Sequence, residues 1–214
     1  TEILKKAFAR MDGFKVRIET VPWKRGVSYL EKGTGFALYP SYKRQEQRPF
    51  IRPYSTPLWD EKVVVMCRED IMAQPRPDWP ADYYGLKIGL NAGYMMGGDG
   101  FFEAVKEGKI SLYEGNKNSD ILALMAKRRL DCYVNERLSI LWALKRMRMS
   151  GDYDDIGIQR NLVEGPTIPR EQTYLGYTDR DEGQFSFKAD FVKKFDAAID
   201  SMKQSGELQD IVEG

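Results

Sequence analysis

The chain has no histidine. That absence excludes a histidine general base, a Ser-His-Asp or Cys-His nucleophile and any imidazole ligand to a metal, which removes most familiar hydrolase and metalloenzyme chemistries at once. Cysteine is almost as scarce, with only Cys67 and Cys132. Two thiols without histidine make a poor metal site. Both lie in strand-like runs, so they read either as two small buried apolar residues or, in an oxidising compartment and on neighbouring strands, as a disulfide. Charge of one sign is also lacking: 33 basic and 32 acidic side chains are interspersed and leave a net charge of +1. Nothing there marks a nucleic-acid stripe or a membrane-seeking basic face. No apolar run approaches the roughly 18 to 20 residues that span a bilayer, and no basic n-region followed by an apolar h-region is visible at the start of the sequence.

What is present is enough chain, 214 residues, for one large domain or two lobes. Leu4, Ala7, Phe8 and Met11 recur at helical spacing before Gly13. Lys15 to Val21 alternates apolar and polar and reads as a strand, and Pro22 opens a second helix that buries Val27 and Leu30 before Gly33. Phe36 to Tyr39 is a short buried strand. From Tyr84 the pattern restarts: strands over 85–90, 110–113 and 130–134 alternate with helices over 101–107 and from Ser119, the residue expected to cap, and a helix follows over 137–147. Strands are expected over 156–160 and 173–178. Phe187, Phe191, Val192, Phe195, Ile199 and Met202 then form a core stripe on a long helix, and Leu208 to Val212 makes a last helical turn.

The polar segment Ser41 to Tyr54 leaves the Phe36–Tyr39 strand, where loops of an α/β sheet meet ligands. Within it Arg44 can offer a carboxylate two parallel charge-assisted hydrogen bonds from one planar fork. The glycine-rich loop 91–100 is neither G-x-G-x-x-G nor a P-loop, since its glycines stand at 93, 97, 98 and 100 and no Gly-Lys-Ser/Thr closes it. It remains a loop at a strand's end, able to present backbone N–H groups to an anion.

Ser41-Tyr42-Lys43-Arg44, then Phe50, Pro53-Tyr54 and Val63-Val64-Val65, resemble the "T-x-x-R … F-S-x-P-Y … V-V-V" signature of the family 3 extracellular solute-binding proteins, receptors of polar amino-acid ABC importers. Arg129-Leu130-Asp131-Cys132-Tyr133-Val134-Asn135-Glu136 is similar to that family's "G-R-x-D-A-x-x-x-D", and the run from Phe191 to Ile211 is similar to its closing helices. The resemblance implies an α/β, two-lobed fold of the type II periplasmic-binding-protein kind, each lobe a mixed sheet flanked by helices. Residues 1–60 with 179–214 form lobe 1, and 61–178, with both crossing segments, form lobe 2. In the family a strand precedes the first helix, so the first strand of lobe 1 is expected to be missing from this sequence, leaving an unfilled sheet position.

The resemblance also implies a function: a periplasmic receptor, made with a signal peptide, that captures a small polar, amino-acid-like ligand between its lobes and delivers it to an ABC permease. It implies no cofactor, no metal, no nucleic-acid partner and a monomer. Arg44 would bind the ligand carboxylate, helped by Ser41, and Glu136 its ammonium. Tyr42, Trp23, Trp59, Tyr94 and Met95 would line the site, with Gly93 at the turn. Trp23 reads equally as the top of the core, Trp59 as a structural aromatic at a hinge, and Glu136 as an acid favourable to a helix N-terminus. Two other uses of the same fold stand beside this one: the sensor domain of a membrane receptor kinase, and a cleft enzyme such as a prephenate-type dehydratase.

Overall fold

The computed structural model describes residues 1–150, 162–169 and 171–213. The chain divides into two units, Thr1–Asp60 with Gln172–Gly214 and Glu61–Glu171. The sequence reading gives Gln172–Thr178 to the other unit. In the structure this stretch is the strand Glu171–Thr178 from its second residue to its end, which pairs with strands near residues 40 and 50, and backbone pairing carries it into the first unit.

The first unit opens with helix α1 (Glu2–Phe8) and helix α2 (Trp23–Glu31). Gly33 ends α2 at φ +69°, its N–H bonded to Leu30 O and that of Thr34 to Tyr29 O, the paired hydrogen bonds of a Schellman stop. A Cβ at Gly33 would sit 2.1 Å from the Arg180 carbonyl oxygen, so the position admits glycine alone. Strands β1 (Ala37–Ser41), β2 (Ile51–Tyr54) and β3 (Trp59–Glu61) follow. All three pair with one long strand from the far end of the chain, Glu171–Thr178, numbered β9 below, in the order β1-β9-β2 with β3 also on β9. The stretch expected as a strand, Lys15 to Val21, is not one: it joins no sheet, and Val16 and Ile18 are 38% and 40% exposed. Alternation suits a residue run to a pleat, but a strand exists only where a partner takes its N–H and C=O groups. Among the described residues β1 pairs with β9 alone.

The second unit contains β4 (Val63–Arg68), β5 (Lys87–Asn91), α3 (Asp99–Lys106), β6 (Ser111–Gly115), α4 (Asn118–Ala126), β7 (Cys132–Glu136), α5 (Arg137–Met149) and β8 (Leu162–Thr167). Its sheet runs β6-β5-β7-β4-β8, with β6 and β7 parallel to β5, and β4 antiparallel to both β7 and β8. Strand β4 is buried along Val63–Cys67, as a strand covered on both faces must be. β8 was not legible in the sequence because Gly165-Pro166 breaks its pattern; it lies at the sheet edge, where proline costs no ladder bond. Cys67 and Cys132 face each other in the β4–β7 register and form a disulfide, with Cα atoms 4.0 Å apart. Of the two readings open in the sequence, the bridge is the one observed. Ser119 does not cap α4; Lys117 holds that position and Ser119 lies in the first turn. The strand expected over 156–160 lies outside the described residues.

Helices α6 (Lys188–Gln204) and α7 (Glu207–Glu213) close the first unit. Phe191, Phe195, Ile199 and Met202 form its buried stripe and meet Ile3, Leu4, Ala7 and Met11, while Phe187 stays 44% exposed. Phe36 packs edge-on against Phe191 with ring centroids 4.9 Å apart.

Candidate functional site

In the first unit the loop after β1 gathers positive charge over aromatic rings. Arg44 and Arg48 stand one turn apart, closed by the Arg48 N–H bonding to Arg44 O at 2.7 Å. The Arg44 guanidinium lies 5.4 Å from the centre of the Tyr42 ring and that of Arg48 lies 5.5 Å from the centre of the Trp23 ring. Lys43 sits 4.4 Å from the centre of Tyr174, whose ring in turn meets Tyr54 edge-on at 5.7 Å. A guanidinium over a ring gains cation–π attraction while its edge keeps the N–H fork for an acceptor. Burial pushes the Tyr54 phenol above its usual value, and Arg44 and Arg48 draw it partly back. Burial also makes Arg48 less willing to hold its proton, and the nearby Arg44 charge adds to that. The fold thus brings Trp23, Tyr42 and Arg44 into one cluster and adds Arg48 and Tyr54, which the sequence reading did not single out.

Two other expected site residues of this unit have partners within it. The Ser41 hydroxyl, 1% exposed, donates to Leu38 O at 3.0 Å, which spends it inside the strand. Trp59 packs against the core around Phe195, the structural alternative read for it.

In the second unit the corresponding place, the C-terminal ends of β5 and β7, is neutral and buried. The Tyr133 hydroxyl donates to Asn91 Oδ1, and Asn135 Nδ2 donates to the Tyr133 hydroxyl at 2.6 Å. Asn91 Nδ2 donates onward to Asn118 Oδ1 at 2.8 Å, and Asn118 Nδ2 to Ser139 O at 3.3 Å. Burial drives the Tyr133 phenol strongly upward, so it stays a neutral donor. Tyr94 is likewise raised, first by burial and then by the Glu61 carboxylate. Gly93 turns the loop at φ +79°, and its N–H donates to Glu114 Oε1 at 2.9 Å; the N–H of Tyr94 bonds to Asn91 O and that of Ala92 to Gly115 O. The loop therefore does not offer these amides to an anion as the sequence suggested: a carboxylate of the chain already occupies Gly93. Met95 is half-buried on the same loop.

Glu136 ends β7 and caps α5, its two carboxylate oxygens accepting the N–H groups of Leu138 at 2.8 Å and Ser139 at 2.6 Å. At 7% exposure it is held where helix N-terminal N–H groups favour negative charge, the second of the two roles read for it. Asn91, Asn118, Tyr133 and Asn135 were missed, since no local pattern marks amides that converge from separate strands. Among the described residues no three His, Cys, Asp or Glu side chains gather as a metal would require, and no helix is long and apolar enough to cross a membrane.

No family model and no curated protein matches the chain. Solved structures do. An ancestral arginine-binding protein bound to arginine superposes with a TM-score of 0.72 at 14% identity, covering 98% of this chain and 84% of that one. A histidine kinase sensor domain with similarity to periplasmic binding proteins gives 0.72 at 18% identity over 99% and 82%. The GluR0 ligand-binding core from Nostoc punctiforme in complex with L-glutamate gives 0.69 at 14% identity over 98% and 86%. At these identities the likeness is one of fold, and the chain has the mixed α/β fold of the two-lobed periplasmic binding proteins.

Proposed function

We propose that the chain is a ligand receptor of the periplasmic-binding kind, which captures a small polar, amino-acid-like solute for an ABC importer. The observation that carries this reading is the Arg44 guanidinium set over Tyr42 on the loop leaving β1, beside Arg48, Trp23 and Tyr54. Arg44 takes the ligand carboxylate, and Tyr42 and Trp23 give its apolar part a wall. A carboxylate accepts more hydrogen bonds than the two Glu136 takes from its own helix, which supports the role of ammonium acceptor proposed for it. The amino-acid ligands named for the structural neighbours support the solute class. The Cys67–Cys132 bridge supports an oxidising, periplasmic location.

Arg44→Ala is expected to weaken binding by about ten- to a hundredfold, the weight of a charge-assisted hydrogen bond of roughly 1.5–3 kcal/mol. Calorimetric titration with a panel of amino acids checks this; an unchanged dissociation constant in the variant removes Arg44 from the site. The sensor-domain neighbour supports a second reading, in which the same capture drives a receptor kinase. Gene context separates the two: an adjacent permease gene favours import, and fusion to a kinase favours sensing.

A further inference from the structure

Helix α5 has two apolar faces, and the fold covers one of them. Ile140, Leu144 and Met147 are buried in one cluster with Ile121, Leu122 and Met125 of α4, the ordinary use of an amphipathic helix. Leu138 is exposed, Trp142 is 60% exposed and Met149 79%. With Lys145 these three stand at i, i+4, i+7 and i+11, and at about 100° of turn per residue the four fall within about 60° of one another, on the side opposite the buried stripe. Arg146 and Arg148, also exposed, fall about 80° to either side of Leu138. The chain as a whole balances 33 bases with 32 acids, but from Arg137 to Met149 the helix holds four cations and no acid. Arg137, at the first turn, is paired with Glu164, while Lys145 lies 5.9 Å from the centre of the Trp142 ring. A single exposed apolar side chain is ordinary; an indole in line with two aliphatic side chains and rimmed by cations marks a surface that something covers.

We infer that this face of α5 settles on an anionic lipid surface. The Trp142 ring, with Leu138 and Met149 beside it, enters the boundary between headgroups and acyl chains, where an indole keeps its apolar body and its polar N–H both in suitable surroundings. Lys145, Arg146 and Arg148 lay their stems along the stripe and carry their charges to the headgroup phosphates. Charge selects the anionic lipid, and area speaks against a second protein: three side chains fall well short of the roughly 800 Å² per partner that a stable protein pair buries. So short a stripe gives reversible residence at the surface rather than anchorage. None of these residues belongs to the arginine loop or to the amide network, so the inference stands independently of the ligand reading.

Co-sedimentation of the full chain with vesicles tests it, using phosphatidylcholine alone and equal parts of phosphatidylcholine and phosphatidylglycerol. Partition onto the anionic vesicles is expected to exceed that onto the neutral ones by about tenfold or more and to weaken as salt is added. Trp142→Ser is expected to lower it about tenfold. Lys145→Gln together with Arg146→Gln is expected to lower it by about tenfold or more, at about fivefold for each cation removed. The double variant carries the test should Trp142→Ser lose the circular-dichroism spectrum of the wild type. Absence of binding to the anionic vesicles, equal binding to both kinds, or a partition unmoved by either variant overturns the inference. A dimer seen by analytical ultracentrifugation without vesicles, and dissolved by Trp142→Ser, gives the face to a second copy and overturns it. Binding of poly-L-glutamate in place of the vesicles gives the face to an acidic protein and overturns it likewise.

Discussion

The two units end their strands with opposite chemistry. At the end of β1 the first unit sets charge on a loop, three cations over aromatic rings. At the ends of β5 and β7 the second unit buries neutral amides and a phenol in a directed chain of hydrogen bonds, and the Glu136 carboxylate is tied to a helix. Charge on a loop can be desolvated by a ligand at the moment of binding, whereas a buried charge must be paid for during folding. Neutral donors and acceptors, fully partnered, can be buried from the start.

Their frameworks differ in step. The first unit is held by an aromatic core under α1, α6 and α7 and carries no covalent tie among its described residues; the second is stapled at the centre of its sheet. Replacing both Cys67 and Cys132 by alanine is expected to lower stability by about 2–5 kcal/mol, since the bridge closes a separation of 65 residues. Hydrogen exchange checks where the loss falls: faster exchange in β4 and β7, with α1 and α6 unchanged, sharpens the contrast, and equal losses in both units break it.

A smaller effect is expected from Tyr133→Phe. It leaves Asn91 Oδ1 and Asn135 Nδ2 short of a partner in a buried place, a loss of about 1–3 kcal/mol. Urea unfolding followed in the second unit measures it. A neutral result shows that the amides repartner, for which the 3.4 Å separation of Asn135 Nδ2 and Asn91 Oδ1 leaves room.

The smallest concerns charge in the second unit outside its site. Burial raises the Glu164 carboxyl, but hydrogen bonds from Lys62 and Arg137 outweigh it and hold the group below its usual range. A depressed folded value means that the stabilisation is present above about pH 4 and is lost as pH falls through that lowered value. Glu164→Gln is therefore expected to cost about 1 kcal/mol at pH 7, a figure already discounted for solvent access, with the gap from wild type closing in acid. Thermal melts at pH 7 and pH 3 test the sign.

What was legible in the chain was what repeats. The Phe191–Phe195–Ile199–Met202 stripe of α6 and the apolar run of β4 follow from period alone, and the βαβαβ order of the second unit follows from their alternation. Lys15–Val21 shows the limit of period: its alternation is real, yet pairing is a property of two segments, and no strand among the described residues pairs with it. Cys67 and Cys132 could be read as buried, but their bond depends on β4 lying beside β7 in register. The candidate site divided in the same way. Arg44 stood out through the motif around it, whereas Arg48 joined it only when a turn and Trp23, 25 positions earlier in the sequence, came together. Asn91, Asn118 and Asn135 carry no local signal, because an amide matters only where others meet it.

The proposed function stands or falls with Arg44 as the group that takes the ligand carboxylate. Its guanidinium Nε–H resonance, followed by nuclear magnetic resonance while an amino acid that binds in calorimetry is added, reads this directly. The resonance is predicted to shift and to saturate at one stoichiometric equivalent. Saturable binding with that resonance unmoved would contradict it.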